Sequence, residues 1–209
     1  MRLIIYPLFV LMLCFGIVLL TGCETDDEAP VVNILLPSEE AMSLTAQGWS
    51  AFEQKNYTGA LSLFMQAKEK NNLYADAYHG LAWTYARLDS LQEAKRYFDI
   101  VFGLNPAPII DAFAGRSFVS LALGEYDDAI FAVQQVQNSN IVFYSFRHDA
   151  NISIKDLWLV KAQSHFMLGE YNAARLLINQ LDPENTLDPG SRTYIADLAA
   201  EIELLWNTI

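Results

Sequence analysis

The phrase LGEYDDAIFAV, Leu123 to Val133, returns 45 residues later as LGEYNAARLLI, Leu168 to Ile178. Aligned on Ala129 and Ala174, the two bring two earlier segments into the same frame, NYTGALSLFMQA on Ala60 and SLQEAKRYFDIV on Ala94. The separations are 34, 35 and 45 residues. Each aligned alanine follows Tyr57, Leu91, Tyr126 or Tyr171 by three residues and precedes Phe64, Phe98, Val133 or Ile178 by four. Twelve residues before each lies a small residue: Gly48, Ala82, Ser117 or Ala162. A unit is therefore written four times.

Large and small apolar residues three and four apart share one face of a helix, and a small residue lets a second helix approach closely. Each unit thus holds two helices, joined by short turns at Lys55-Asn56, Asp89-Ser90, Gly124-Glu125 and Gly169-Glu170. One such pair cannot bury its apolar face alone. It stacks on its neighbours, and the chain becomes a solenoid. After Pro189-Gly190, Tyr194, Leu198, Ile202 and Leu205 keep helical spacing, which predicts a terminal helix shielding the last unit.

These residues resemble the tetratricopeptide repeat (TPR) family. The second unit is the most similar, from Ala75 through Tyr78, Leu81, Ala82, Tyr85, Ala94 and Phe98 to Pro106. The resemblance implies an all-α, right-handed superhelical solenoid of four helix pairs over residues 41–188, with a C-terminal capping helix in 189–209. It also implies a concave surface lined by the first helix of each pair, the usual place of a ligand. In that frame Trp49, Phe52, His79, Trp83, Arg87, Phe118, Leu121 and Phe166 face the groove. The face is aromatic, and exposed rings on a concave surface point to binding. Arg87 is its one cation, so the carboxylate clamp of chaperone-binding TPR domains is not expected.

One departure from the repeat bears on this face. About eleven extra residues separate the third and fourth units, within QNSNIVFYSFRHDANISI, Gln137 to Ile154. Insertions in solenoids often sit at the functional face. The insertion (137–154) is apolar at Ile141, Val142, Phe143, Tyr144 and Phe146. It either covers part of the groove or extends the preceding helix. The segment Val31 to Leu36 is the other candidate for filling the groove.

The N-terminus carries Arg2, an apolar run from Leu3 to Leu20, then Thr21, Gly22 and Cys23, which reads as a secretory signal (1–22). Leu20-Thr21-Gly22-Cys23 resembles a bacterial lipobox, which implies that Cys23 carries the lipid and begins the mature protein. The rival reading is an uncleaved anchor, since about 18 apolar residues nearly span a bilayer. Either way the carboxylates Glu24, Asp26, Asp27 and Glu28 lie across the membrane from Arg2. Residues 23–40 then form an acidic tether with an apolar docking segment. The expected address is the cell envelope, on the periplasmic side of the outer or inner membrane. The lipoprotein subunits of outer-membrane β-barrel assembly and of type IV pilus biogenesis have a similar division of labour.

Composition removes other functions. A net charge of −12 repels nucleic acid. The two cysteines, Cys14 and Cys23, both belong to the N-terminal segment, so no disulfide staples the domain. The histidines, His79, His148 and His165, fall in no metal-ligand spacing. His165 reads as a core residue, and Asp76, Asp111 and Asp156 as helix starters. Arg147-His148-Asp149 holds an acid-base pair without a nucleophile. No enzyme, cofactor or metal site is expected. The function that remains is a membrane-tethered scaffold binding a protein or peptide in the groove. The alternative is a carrier that holds a small apolar ligand between Trp49, Trp83, Phe118 and Phe143.

Overall fold

A computed structural model describes residues 38–104, 109–139 and 143–209. The expected signal peptide, the lipobox Cys23, the acidic tether and the 31–36 segment lie outside the described residues, as do Ile141 and Val142 of the insertion. Ser38 opens the first helix by accepting a hydrogen bond from the Ala41 amide at 3.1 Å, and Glu39 and Glu40 occupy its first turn, where carboxylates offset the positive helix end. The helices then follow in pairs: α1 (Glu39–Glu53) with α2 (Tyr57–Lys70), α3 (Ala75–Arg87) with α4 (Leu91–Leu104), α5 (Ile109–Ala122) with α6 (Tyr126–Asn138), and α7 (Ile154–Met167) with α8 (Tyr171–Leu181). A last helix, α9 (Tyr194–Thr208), packs on α7 and α8.

The turn inside each pair is the same turn. Lys55, Asp89, Gly124 and Gly169 each take a positive φ, between 57° and 78°, at the end of the first helix. Glycine meets that requirement without strain, whereas Lys55 and Asp89 hold it at a steric cost. The frame of small and large residues is equally regular. Ala60, Ala94, Ala129 and Ala174 are fully buried, and so are Phe64, Phe98, Val133 and Ile178. Gly48, Ala82, Ser117 and Ala162 are buried opposite them.

Each large residue on a second helix also meets the next unit. A Cβ on Gly48 would come within 2.6 Å of the Phe64 ring, and one on Gly80 within 2.2 Å of it. At Gly115, 35 residues after Gly80, a Cβ would come within 2.3 Å of Phe98. The corresponding positions one unit later hold Val133 and Val160, a medium residue in each place. Thus Phe with Gly, twice, gives way to Val with Val.

First helices touch one another in the order α1, α3, α5, α7 and α9, while each second helix lies between two of them. That is the layering expected of a solenoid of four helix pairs and a cap. One apolar core runs from Trp49 to Val160, and a second joins α7, α8 and α9 through Leu159, Ile178, Leu198 and Ile202. Trp206 packs against both.

The helix before the insertion, α6, ends at Asn138, so the described part of the insertion from Phe143 on does not extend it. That part forms a hairpin, β1 (Ser145–Phe146) antiparallel to β2 (Asp149–Ser153), with Phe146 opposite Asp149. Ser153 and Asp156 then close a reciprocal capping box that starts α7. Asp76 and Asp111 stand in the first turns of α3 and α5, so all three aspartates begin helices.

Candidate functional site

The face expected to be concave carries Thr45, Trp49 and Phe52 on α1, His79, Trp83 and Arg87 on α3, Phe118 and Leu121 on α5, and Gln163 and Phe166 on α7. Four of the predicted groove residues are nearly inaccessible: Trp49 is 4% exposed, Phe52 2%, His79 1% and Trp83 3%. The hairpin covers them.

Phe146 enters between the two tryptophans and is fully buried. Its ring stacks on Trp83, with centroids 4.2 Å apart and planes 15° apart. It also presents edge-on contacts to Trp49 at 6.1 Å, His79 at 6.2 Å and Phe52 at 6.3 Å. Offset stacks and T-shaped pairs at these separations place ring edges on ring faces, where the quadrupoles attract. Two residues on, the His148 imidazole lies flat on Trp49, 3.9 Å between centroids and 2° between planes. Its Nδ1 donates to Glu53 Oε1 at 2.8 Å. Asp149 pairs with Arg87 at the rim.

A polar chain runs beneath the rings. Trp83 Nε1 donates to His79 Nε2 at 3.0 Å, and indole nitrogen can only donate, so His79 carries its proton on Nδ1. That Nδ1 faces Asp76 Oδ1 at 3.7 Å, beyond hydrogen-bond reach. Asp76 Oδ1 accepts from Trp49 Nε1 at 3.1 Å. Asp76 therefore does more than start a helix, because it fixes a tryptophan of α1 from the end of α3. Burial works to raise the Asp76 pKa, but the neighbouring His79, Trp49 and, least of the three, His148 outweigh it and leave the carboxyl below its ordinary value.

Burial is also the largest influence on His148, and it holds the imidazole below its ordinary pKa. Glu53 and, more weakly, Asp76 pull it up, while Arg147 pushes it down. With the folded pKa below the unfolded one, the docked hairpin favours neutral imidazole. Its contribution is complete above the unfolded value of 6.5 and is lost as pH falls from there toward the folded pKa. Acidification from pH 7.5 to 5.5 is therefore expected to loosen the hairpin, seen as a change in Trp49 emission. His148→Gln should flatten that change, and a titration identical in the two proteins would remove His148 as its source.

Phe118 and Leu121 are half-buried against the main core. Gln163 and Phe166 border a cavity of about 480 Å³ shared with Met167, Ile202, Glu203 and Trp206. The indole of Trp206 donates to Gln163. His165 is not in the core: it is half-buried, and its Nδ1 meets Glu170 Oε2 at 2.6 Å. Among the described residues no three His, Cys, Asp or Glu side chains converge as a metal site requires. No described helix is long and apolar enough to cross a membrane.

Sequence reasoning placed the tryptophans, Phe52, His79 and Arg87 on one face, and the structure brings them together. The insertion was one expected cover of the groove, and Phe146 fills it; the reading missed the bond from Trp49 to Asp76 and the pairings of His148 with Glu53 and of Asp149 with Arg87. The available signal was the apolar run Ile141 to Phe146 followed by Arg-His-Asp, whose polar members had no assigned partner.

Comparison with known proteins agrees with this architecture. Residues 75–108 match the family model described as Tetratricopeptide repeat. Among solved structures, a double mutant of MamA RS-1 is similar with a TM-score of 0.61 at 13% identity, over 83% of this chain and 98% of that one. YrrB, described as a TPR protein with an unusual peptide-binding site, gives 0.58 at 17% identity, over 80% of this chain and 79% of that one. The pilF protein of Pseudomonas aeruginosa gives 0.56 at 19% identity, over 77% and 66%. No curated protein matches the chain. The fold is thus a TPR solenoid, and residues 75–108 are one such repeat.

Proposed function

We propose that this TPR chain is a membrane-tethered scaffold of the bacterial cell envelope, held by a lipid on Cys23 and binding a protein or peptide along its concave face. The observation that carries the reading is the hairpin itself. The face accepts a peptide segment through ring stacking and charge pairs, and a further open cavity bordered by Phe166 and Trp206 lies between α7 and α9. A solenoid offers such a surface without chemistry, and its stacked units keep it rigid. YrrB, similar in fold, is described by its own peptide site, which supports the analogy. The lipid anchor rests on Leu20-Thr21-Gly22-Cys23 and on the apolar run before it.

The carrier reading asked Trp49, Trp83, Phe118 and Phe143 to enclose a ligand. Phe146 stands between the two tryptophans, and Phe143 is 88% exposed. Nothing in the geometry favours it.

The test is affinity purification from solubilised bacterial envelope, with the native chain, with Phe166→Arg at the open cavity, and with Cys23→Ser. The native chain should recover a protein that Phe166→Arg loses while circular dichroism stays helical, and Cys23→Ser should be released from membranes or stay uncut. Equal recovery by Phe166→Arg contradicts the groove. Unchanged processing and attachment of Cys23→Ser contradicts the tether.

A further inference from the structure

We propose that the N-terminal half of the groove is a receptor for one short sequence pattern: an aromatic residue, then two positions later an imidazole or guanidinium, then a carboxylate. Phe146, His148 and Asp149 are the chain's own copy of that pattern, and a partner segment with a better copy displaces them. The inference rests on the scaffold reading above and names the ligand class for part of that surface.

Three observations carry it. The hairpin is held as a ligand is held. Among the described residues no backbone hydrogen bond joins 143–153 to α1, α3 or α5, and the polar contacts to those helices are made by side chains: His148 with Glu53, Asp149 with Arg87, and the Tyr144 hydroxyl beside Asp111. Recognition therefore resides in side chains, so it can be transferred to another chain carrying the same side chains in the same order. A two-stranded hairpin has little stability of its own, so the rings and charges must hold it in place.

The groove also supplies three seats of distinct chemistry. The cage of Trp83, Phe52 and His79 takes a flat apolar ring. The face of Trp49 beside the Glu53 carboxylate takes a planar group that donates hydrogen bonds. Arg87 takes a carboxylate. Histidine gives the second seat one donor, to Glu53. A guanidinium stays charged, attracts the indole face and donates twice to a carboxylate.

The resident segment finally leaves buried polar groups without partners. Thr45 Oγ1 makes no hydrogen bond, and His79 Nδ1 stands 3.7 Å from Asp76 Oδ1, too far for one. Thr45 and His79 are each 1% exposed. Buried groups of this kind are normally satisfied, and a site whose donors wait unpaired has room for a better occupant.

The experiment uses the full chain with Phe146→Ser and His148→Ser, which empties two seats at constant length. The probes are three fluorescein-labelled decapeptides: the order Tyr144 to Ser153, the same with His148→Arg, and the same with Phe146→Ala. Anisotropy should show binding of the first peptide, binding of the second within about tenfold of it, and none of the third. The native chain should bind the first at least about tenfold more weakly, because its hairpin competes. Absence of binding in a variant that still melts cooperatively overturns the proposal, as does equal binding of the Phe146→Ala peptide. If the variant does not fold, excess Arg-containing peptide is added to the native chain. Faster amide exchange in 145–153 is then the expected result, and unchanged exchange overturns the proposal. Loss of the peptide effects with partner capture still sensitive to Phe166→Arg sinks this inference alone, whereas loss of both sinks the scaffold as well.

Discussion

Phe146→Ala is expected to release the hairpin from the groove while the helix pairs stay folded. Removing a buried phenylalanine from a packed core costs about 3–5 kcal/mol, part in transfer and part in the cavity left behind. Here the ring stacks on Trp83 and touches Trp49, Phe52 and His79, so little around it can collapse into the space. A helix in that position would have to endure the loss. The hairpin has another course, because it contacts the groove helices through side chains only, and undocking limits the cost to whatever its docking was worth. The measurable result is a red shift in emission as Trp49 and Trp83 meet water, with helical ellipticity near native and the melting temperature lowered by several degrees. Unchanged emission and melting would mean that the ring contributes nothing to holding the segment.

Gly80→Val is expected to be the most damaging single substitution in the first two units. Phe64 lies between α1 and α3, and added Cβ atoms at Gly48 and Gly80 would meet its ring at 2.6 and 2.2 Å. The ring is fully buried, so retreat from one helix drives it into the other. Valine gains some helix propensity over glycine, worth a few tenths of a kcal/mol. Overpacking costs about 1–3 kcal/mol and separation of the helices more, so a net loss of about 3 kcal/mol is expected. The third and fourth units suggest the remedy. Val133 and Val160 occupy the register positions of Phe64 and Gly80 two pairs further on, so Phe64→Val added to Gly80→Val should recover most of the loss. Urea unfolding of the two singles and the double measures this as a double-mutant cycle. Additive losses would show that these positions do not share a space.

Repetition explains why so much of the scaffold was legible. Any one helix face is ambiguous, but four copies in phase locate the turn, the small residue and the large residue, and the buried Ala60, Ala94, Ala129 and Ala174 follow that frame. The groove face followed from the same register, which is why Trp49 and Trp83 were placed together from residues 34 apart. The hairpin occurs once, so no repetition marked it. A strand of two residues has no period to detect, and Phe146, His148 and Asp149 were separated from Trp83, Glu53 and Arg87 by about sixty residues or more of chain. Asp76 misled in a different way. Its place in the first turn of α3 was reason enough for a carboxylate, and its bond to Trp49 depends on a contact between helices that local pattern does not encode.

Native-state hydrogen exchange on the native chain tests the account most directly, because it asks whether the hairpin and the solenoid are one cooperative structure or two. Amides of 145–153 should exchange through a local opening that costs less free energy and responds less to denaturant than the opening of α3 and α4. Exchange of the hairpin only with global unfolding, at the same free energy and denaturant slope as those helices, would make it a permanent part of the core and contradict a displaceable occupant of the groove.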